Sequence, residues 1–411
     1  MLLAVSGGAD STALMHLAHE WARLDPANAP RLEVATVDHG LRPASAAEAT
    51  QVAAAARALG LEHATLRWVA PRPPSGLQEA ARDARRALLF AHARETGADA
   101  VAMAHTADDQ AETLFMRLAR GSGLDGLAGM APVTPVAPGL MLVRPLLAMT
   151  RARIESLLRE RGVSWIEDPS NIDPAFERVR IRSAQATLAG LGLTADPLAT
   201  SARRLLRARQ ALEEAAIVVL DAAAGPVAID PLGYATIDWP GLCQRPAEVR
   251  LRVLAALIET IGGTDRVSLA ALEAMTEGRD WASPAGLTIG RVLFRSTSAD
   301  EILLLREPDR LSPPPMRLSG PGRVLFDGRF EVSIERALPM ECELRALGDD
   351  GLAALRVTTE ACPDVSRDAL MTLPSLWLAG NLAAVPLLGA VLVGHARDMV
   401  NVTLRLAWRR I

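Results

Sequence analysis

Leu2-Leu3-Ala4-Val5-Ser6-Gly7-Gly8-Ala9-Asp10-Ser11 opens the chain, and its reading decides the fold. Four apolar residues predict a short buried strand. Leu14, Leu17, Ala18, Trp21 and Leu24 then recur at helical spacing, so a helix follows the glycines. A strand, a glycine turn and a helix make a phosphate cradle. Glycine lets the backbone bend with its N–H groups exposed, and the helix N-terminus adds about half a positive charge. The serines at 6 and 11 can donate to phosphate oxygens, and Asp10 can hold a metal ion. A strand–helix turn with no ligand accounts for the same residues, so both readings stand at this point.

The type of cradle can be narrowed. A Walker loop needs a Gly-Lys-Ser/Thr run whose lysine reaches the outer phosphates. This chain has no lysine: its 44 basic residues are all arginine, which also removes any Schiff-base chemistry. The dinucleotide pattern G-x-G-x-x-G is absent from the loop. What remains resembles the Ser-Gly-Gly-x-Asp-Ser loop of the ATP pyrophosphatases, which cleave ATP to AMP and pyrophosphate.

Working outward, residues 1–150 alternate strand and helix. Strands are predicted at 2–5, 32–38, 63–68, 99–104 and 141–146, and helices at 46–59 and 77–95. This predicts a mostly parallel, doubly wound α/β sheet with ligands at the carboxyl ends of its strands. Ser6, Asp38 and His105 would then share one rim. Helix is expected at 150–162, 198–222, 246–261 and 268–277, and short strands from 323 onward. Breaks near 190–197 and at Ser312-Pro313-Pro314-Pro315 divide the chain into 1–190, 198–310 and 316–411. The expected order is an α/β domain, a helical domain and a small α+β or all-β end domain.

At 411 residues, core size is not limiting. No apolar run approaches the roughly 18 residues of a membrane span, and residues 1–5 are too few for a signal peptide, so the expectation is a cytoplasmic protein with no membrane partner. Three scattered cysteines, Cys243, Cys342 and Cys362, indicate neither a zinc cluster nor a disulfide framework. A net charge of −4 excludes a wholly basic coat but leaves room for local basic patches.

Three further stretches carry chemistry. Val37-Asp38-His39-Gly40-Leu41-Arg42 ends the second strand, where a turn with an incidental acid is the competing explanation. His105-Thr106-Ala107-Asp108-Asp109-Gln110-Ala111-Glu112-Thr113 runs on to Arg117 and Arg120. Thr106 and Asp109 fit a capping box, a purely structural task. Asp109 and Glu112 share a helical face, suited to a metal or a cationic amine, and the arginines beyond them suit phosphates. The last is Glu177-Arg178-Val179-Arg180-Ile181-Arg182, whose arginines line one face of a strand but scatter on a helix. A solvated charge run explains it equally well.

Taken together and in this order, the stretches from Leu3 to about Arg182 resemble the tRNA(Ile)-lysidine synthetases. The resemblance rests on 6–11, 37–42, 105–113, Arg120-Gly121-Ser122-Gly123 and Glu167-Asp168-Pro169-Ser170-Asn171. It implies a ligase that uses ATP and magnesium to adenylate the wobble cytidine of an isoleucine tRNA with a CAU anticodon, after which free lysine displaces AMP. By the same resemblance, Ser6, Gly7, Gly8, Ala9, Asp10 and Ser11 hold the ATP phosphates and Asp10 the magnesium. Asp38 and His39 lie near the nucleotide, and Asp109 and Glu112 take the lysine ammonium groups. Arg178 or Arg180 takes the lysine carboxylate, and Arg117 and Arg120 meet tRNA phosphates. His105 is a candidate base, although a loop histidine accounts for it as well.

Two departures stand out. Family members usually carry more residues before the loop, so either residues precede Met1 or the first strand is minimal. Val179 also stands where the family often has asparagine. The carboxyl half resembles the family's tRNA-gripping domains less clearly, with Leu325–Phe330 the best local match. Arginine patches at 203–209 and 245–252 suit the acceptor end or are solvated stripes. Three rivals remain: a tRNA thiolase with the same loop, which calls for cysteines near the loop domain whereas the first here is Cys243; an amide-forming synthetase, which shares residues 6–11 but does not predict 105–123; and a non-catalytic nucleotide-binding module.

Overall fold

The structure is a computed structural model and describes residues 1–40, 44–69, 76–167, 177–264, 267–276, 286–308, 313–318, 320–335, 342–358, 365–391 and 400–406. Leu41, Arg42 and 168–171 of the predicted motifs lie outside the described residues, as does the side chain of Arg178. The chain divides into two compact units, Met1–Gln210 and Ala211–Ile411.

The first unit is built on six strands: β1 (Leu2–Ala4), β2 (Glu33–Asp38), β3 (Glu62–Arg67), β4 (Ala100–Ala102), β5 (Val133–Ala137) and β6 (Leu140–Val143). Their order is β3-β2-β1-β4-β6-β5, parallel throughout except for the β5–β6 hairpin. Leu2 sits opposite both Glu33 and Val101, which puts β1 in the middle. That is why β1 is all apolar: a parallel central strand is buried on both faces, and Leu2 and Leu3 are fully buried.

The helices are α1 (Ala9–Leu24), α2 (Ser45–Ala58), α3 (Leu77–Glu95), α4 (Ala107–Ala119), α5 (Leu124–Leu127), α6 (Arg151–Glu160), α7 (Glu177–Ser183) and α8 (Gln185–Gly190), of which α1, α2 and α6 cover one face of the sheet and α3 the other. Leu14 and Met15 of α1 pack with Val52 of α2 and Ile154 and Leu158 of α6 in one core. Leu89 and Ala93 of α3 pack with Val101 and Leu142 in the other. β5 has no counterpart among the predicted strands, because Pro135 interrupts its alternation. The arginine run 177–182 is helical, so its alternate arginines do not line one face.

Helix α9 (Ala195–Leu220) carries the chain into the second unit. There β7 (Val227–Asp230), β8 (Tyr234–Asp238), α10 (Trp239–Cys243), α11 (Ala247–Gly262), α12 (Leu269–Thr276), β9 (Leu287–Ile289), β10 (Val292–Ser296) and β11 (Glu301–Arg306) follow. The helices expected at 198–222, 246–261 and 268–277 are present, and the structure adds a five-stranded antiparallel sheet, β7-β8-β11-β10-β9. The apolar run Ile302-Leu303-Leu304-Leu305 hid it, since periodicity does not separate a short buried strand from buried helix.

The remaining elements are β12 (Met316–Arg317), β13 (Gly322–Phe326), β14 (Phe330–Ile334), β15 (Cys342–Ala346), α13 (Gly348–Thr358), α14 (Arg367–Met371), β16 (Pro374–Leu378), β17 (Asn381–Val385), β18 (Ala390–Val391) and β19 (Val400–Leu404). They form two antiparallel sheets, β12-β15-β16-β17-β18 and β13-β14-β19, around a core of their own. The β13–β14 turn is tight, with Asp327 at φ +51° and Gly328 at +70°. A Cβ on Gly328 would lie 2.4 Å from the Gly263 carbonyl oxygen, so only glycine fits there. Asp327 accepts hydrogen bonds from Arg291, Arg306 and Arg329, the last with no exposed side-chain surface.

Candidate active site

The sheet order reverses at β1, whose neighbours are β2 on one side and β4 on the other. Ligands bind α/β sheets at such a switch point, outside the carboxyl ends of the strands. Two segments meet there: the turn from β1 into α1, and the turn from β4 into α4.

The first turn is tied down by its own hydroxyls. Ser11 Oγ accepts from the Ser6 N–H at 3.2 Å and donates to the Gly8 carbonyl at 3.0 Å, and Thr12 Oγ1 donates to the Gly7 carbonyl at 3.1 Å. Ser11 thus has an internal partner as well as its predicted phosphate role. Gly7 adopts φ +91°, and a Cβ there would lie 2.6 Å from Ile166 Cδ1. The Ile166 N–H donates to the Gly7 carbonyl, holding the loop from the other side. Gly8 faces open space, and α1 has no side-chain cap. Its first N–H groups are therefore available to an anion.

In the second turn, Thr106 and Asp109 form the capping box read from the sequence. Asp109 Oδ2 accepts from the Thr106 N–H at 2.8 Å and its hydroxyl at 2.9 Å. Burial works to raise the Asp109 pKa, and these bonds oppose it. With His105 and Arg151 adding to them, the carboxyl is held below its usual value. Three residues on, Glu112 has no exposed side-chain surface and pairs with Arg182 of α7. Burial raises the Glu112 pKa, against the pull of Arg182.

Arg151 joins the two turns. Its Nε and Nη2 each donate to Asp10 Oδ2 at 3.2 Å, Nη2 lies 3.9 Å from Asp109 Oδ1, and its backbone N–H donates to Asp108 at 2.7 Å. Asp10 Oδ1 is left buried with no hydrogen-bond partner. Burial raises the Asp10 pKa, with Arg151 opposing and Asp109 adding to it. Sequence reasoning missed Arg151, although one signal was there. It begins a helix whose first turn has no acidic residue, where a cation is disfavoured by the dipole. Arg182 was within the quoted arginine run but was not singled out.

A family model describing the PP-loop domain matches residues 1–187. A tRNA(Ile)-lysidine synthase of Bradyrhizobium sp. is 44% identical over 331 residues, covering 77% of this chain and 90% of that one. Another, from Ruegeria pomeroyi, is 40% identical over 405 residues, covering 94% and 88%. The chain belongs to the tRNA(Ile)-lysidine synthase family. Among solved structures, the U34-tRNA thiolase NcsA from Methanococcus maripaludis is similar over 50% of this chain and 71% of that one, at 17% identity and a TM-score of 0.42.

Within this member of the tRNA(Ile)-lysidine synthase family, Asp10, Asp109 and Arg151 come together, and Glu112 acts on Arg151 electrostatically. Asp38 and His39 form their own group at the end of β2. Asp38 Oδ1 accepts from the Gly40 N–H at 2.9 Å, His39 stacks edge-on with Trp68, and Arg85 donates to His39 Nε2. Arg117 is exposed, while Arg120 pairs with Glu177 at 2.6 Å. Among the described residues, no group of three or more His, Cys, Asp or Glu could hold a metal, and no helix is long and apolar enough to cross a membrane.

Proposed function

We propose that this protein uses ATP to adenylate the wobble cytidine of a CAU-anticodon isoleucine tRNA and then joins free lysine to it. The supporting observation is that the Ser6–Ser11 loop and the Thr106–Glu112 segment meet at one switch point, bridged by Arg151, in a chain whose relatives are named for lysidine synthesis. The cytidine carbonyl oxygen attacks the α-phosphate and pyrophosphate leaves. The lysine amine then attacks the ring carbon that bears the adenylated oxygen and loses a proton, and the C–O bond breaks as AMP departs. A ring carbonyl oxygen is a poor leaving group and AMP a good one, which is what the ATP provides.

In this reading the loop N–H groups and serines of residues 6–11 hold the polyphosphate in place. Asp10 fits magnesium as a single carboxylate ligand, because its Oδ1 is buried without a partner and magnesium takes one or two carboxylates alongside substrate phosphates. When bound there, the ion would supply charge stabilisation to the phosphates. Asp109 and Glu112 provide the negative field for the lysine ammonium, with Arg178 or Arg180 for its carboxylate. In this reading His105 is the base that takes the amine proton, and Asp38 serves the nucleotide. Arg117 and Arg120 contact tRNA phosphates. Residues 1–190 form the catalytic domain, and 198–310 and 316–411 the tRNA-binding domains.

Asp10→Asn tests the loop assignment. It is expected to lower pyrophosphate release at least a hundredfold, on the order of one lost electrostatic stabiliser, while tRNA affinity is kept. Equal loss of both would make Asp10 a structural residue.

A further inference from the structure

Arg151 carries its charge against the dipole of its own helix, so something outside the helix has to favour it there. Asp10 and Asp109 do so: Nη2 lies 3.2 Å from Asp10 Oδ2 and 3.9 Å from Asp109 Oδ1. Yet its pairing with Asp10 is incomplete. Both guanidinium donors crowd one oxygen, Oδ2, while Oδ1 is buried with no partner. Each bond is 3.2 Å, long beside the roughly 2.7–2.9 Å of charge-assisted pairs. A fork-to-fork pair would use both oxygens.

The guanidinium also lies beside the phosphate cradle. Asp10 is in the first turn of α1, two residues after Gly8, at the uncapped end of that helix. Since the chain contains no lysine, any permanently charged side-chain cation that meets a polyphosphate at this loop is an arginine. Arg151 is already hydrogen-bonded to the loop's helix, and about a quarter of its side chain remains exposed.

We propose that Arg151 is a polyphosphate-binding residue whose guanidinium leaves Asp10 for the phosphate oxygens when ATP enters the loop. The inference rests on the ATP-cleaving reading above. The planar fork then makes the bidentate contacts it lacks with Asp10. Its departure frees Oδ2 as well, leaving both Asp10 oxygens without an Arg151 hydrogen bond, so one movement serves the phosphates and the acid together.

The test compares ATP and AMP binding to the full-length protein by calorimetry, in chelator and without magnesium. Arg151→Gln is expected to weaken ATP binding about tenfold or more, the worth of a charge-assisted contact, and to change AMP binding less than about twofold. Arg151→Lys keeps the charge without the fork, so about a third of the ATP preference in log units returns. Equal weakening of ATP and AMP, or unchanged ATP binding, would overturn the proposal and leave Arg151 as a structural partner of Asp10. Should Arg151→Gln fail to fold, the Arg151→Lys ratio of ATP to AMP affinity decides: a ratio equal to wild type overturns the proposal. Wild-type protein that releases pyrophosphate while Arg151→Gln binds ATP normally separates failure of this inference from failure of the functional reading.

Discussion

At the residue scale, the unexpected assignments concern who holds whom. Asp10, Asp109 and Glu112 can be picked out from spacing alone, because the motif places them near a glycine turn or on one helical face. Their partners Arg151 and Arg182 cannot, since an ion pair across 141 or 70 residues leaves no local pattern. His39 carries a prediction of its own. Burial, with Arg85 beside it and Asp38 opposing, pulls the His39 pKa down to about 4. The folded protein therefore keeps this ring neutral at pH values where the unfolded chain, near 6.5, is already protonated. The stability contributed by the neutral ring is present above about pH 6.5 and is lost as pH falls toward 4. A histidine NMR titration should put its midpoint near 4, and His39→Asn should flatten the acid side of the stability curve. A midpoint near 6.5 would contradict the burial argument.

At the scale of elements, α4 and α7 show where local pattern ends. The N-terminus of α4 was legible because a capping box is a matter of three-residue spacing. The arginine run was ambiguous because alternation suits a strand and Ile181-Arg182-Ser183 suits a helix; packing against α4 resolves it in favour of helix, with Arg182 directed at Glu112. Removing that guanidinium leaves a buried carboxylate without its counter-charge. Arg182→Met should cost about 3 kcal/mol at neutral pH. The sign with pH follows from the raised Glu112 pKa: a carboxyl that is costly to ionise in the fold penalises stability as pH rises through its folded pKa. The loss should thus be smaller at pH 5 than at pH 8 in chemical denaturation. A pH-independent loss would mean that α7 is held by packing and not by this pair.

At the scale of the whole molecule, the first unit could be read almost strand by strand, because parallel β/α alternation repeats one signal. The second could be read only in part: β13, β14, β17, β18 and β19 fall on the short strands expected from 323 onward, whereas the sheet built from 227–306 had no counterpart. Its antiparallel strands are short, β11 carries the unbroken apolar run 302–305 in place of alternation, and an ion cluster rather than a periodic stripe anchors the β13–β14 turn. Asp327 receives three arginines, and Arg329 among them is fully buried. Asp327→Asn should destabilise the second unit by about 3 kcal/mol, because it strands buried guanidinium charge. Differential scanning calorimetry should show the affected transition moving alone, and an unchanged profile would mean the arginines find other acceptors.

The chemistry itself is tested most directly by incubating the protein with ATP, labelled lysine and a CAU-anticodon isoleucine tRNA transcript, then following label in the tRNA and AMP in solution. The account predicts ATP-dependent label in the tRNA, with one AMP and one pyrophosphate released per lysine joined. ATP cleavage that leaves the tRNA unlabelled would contradict it.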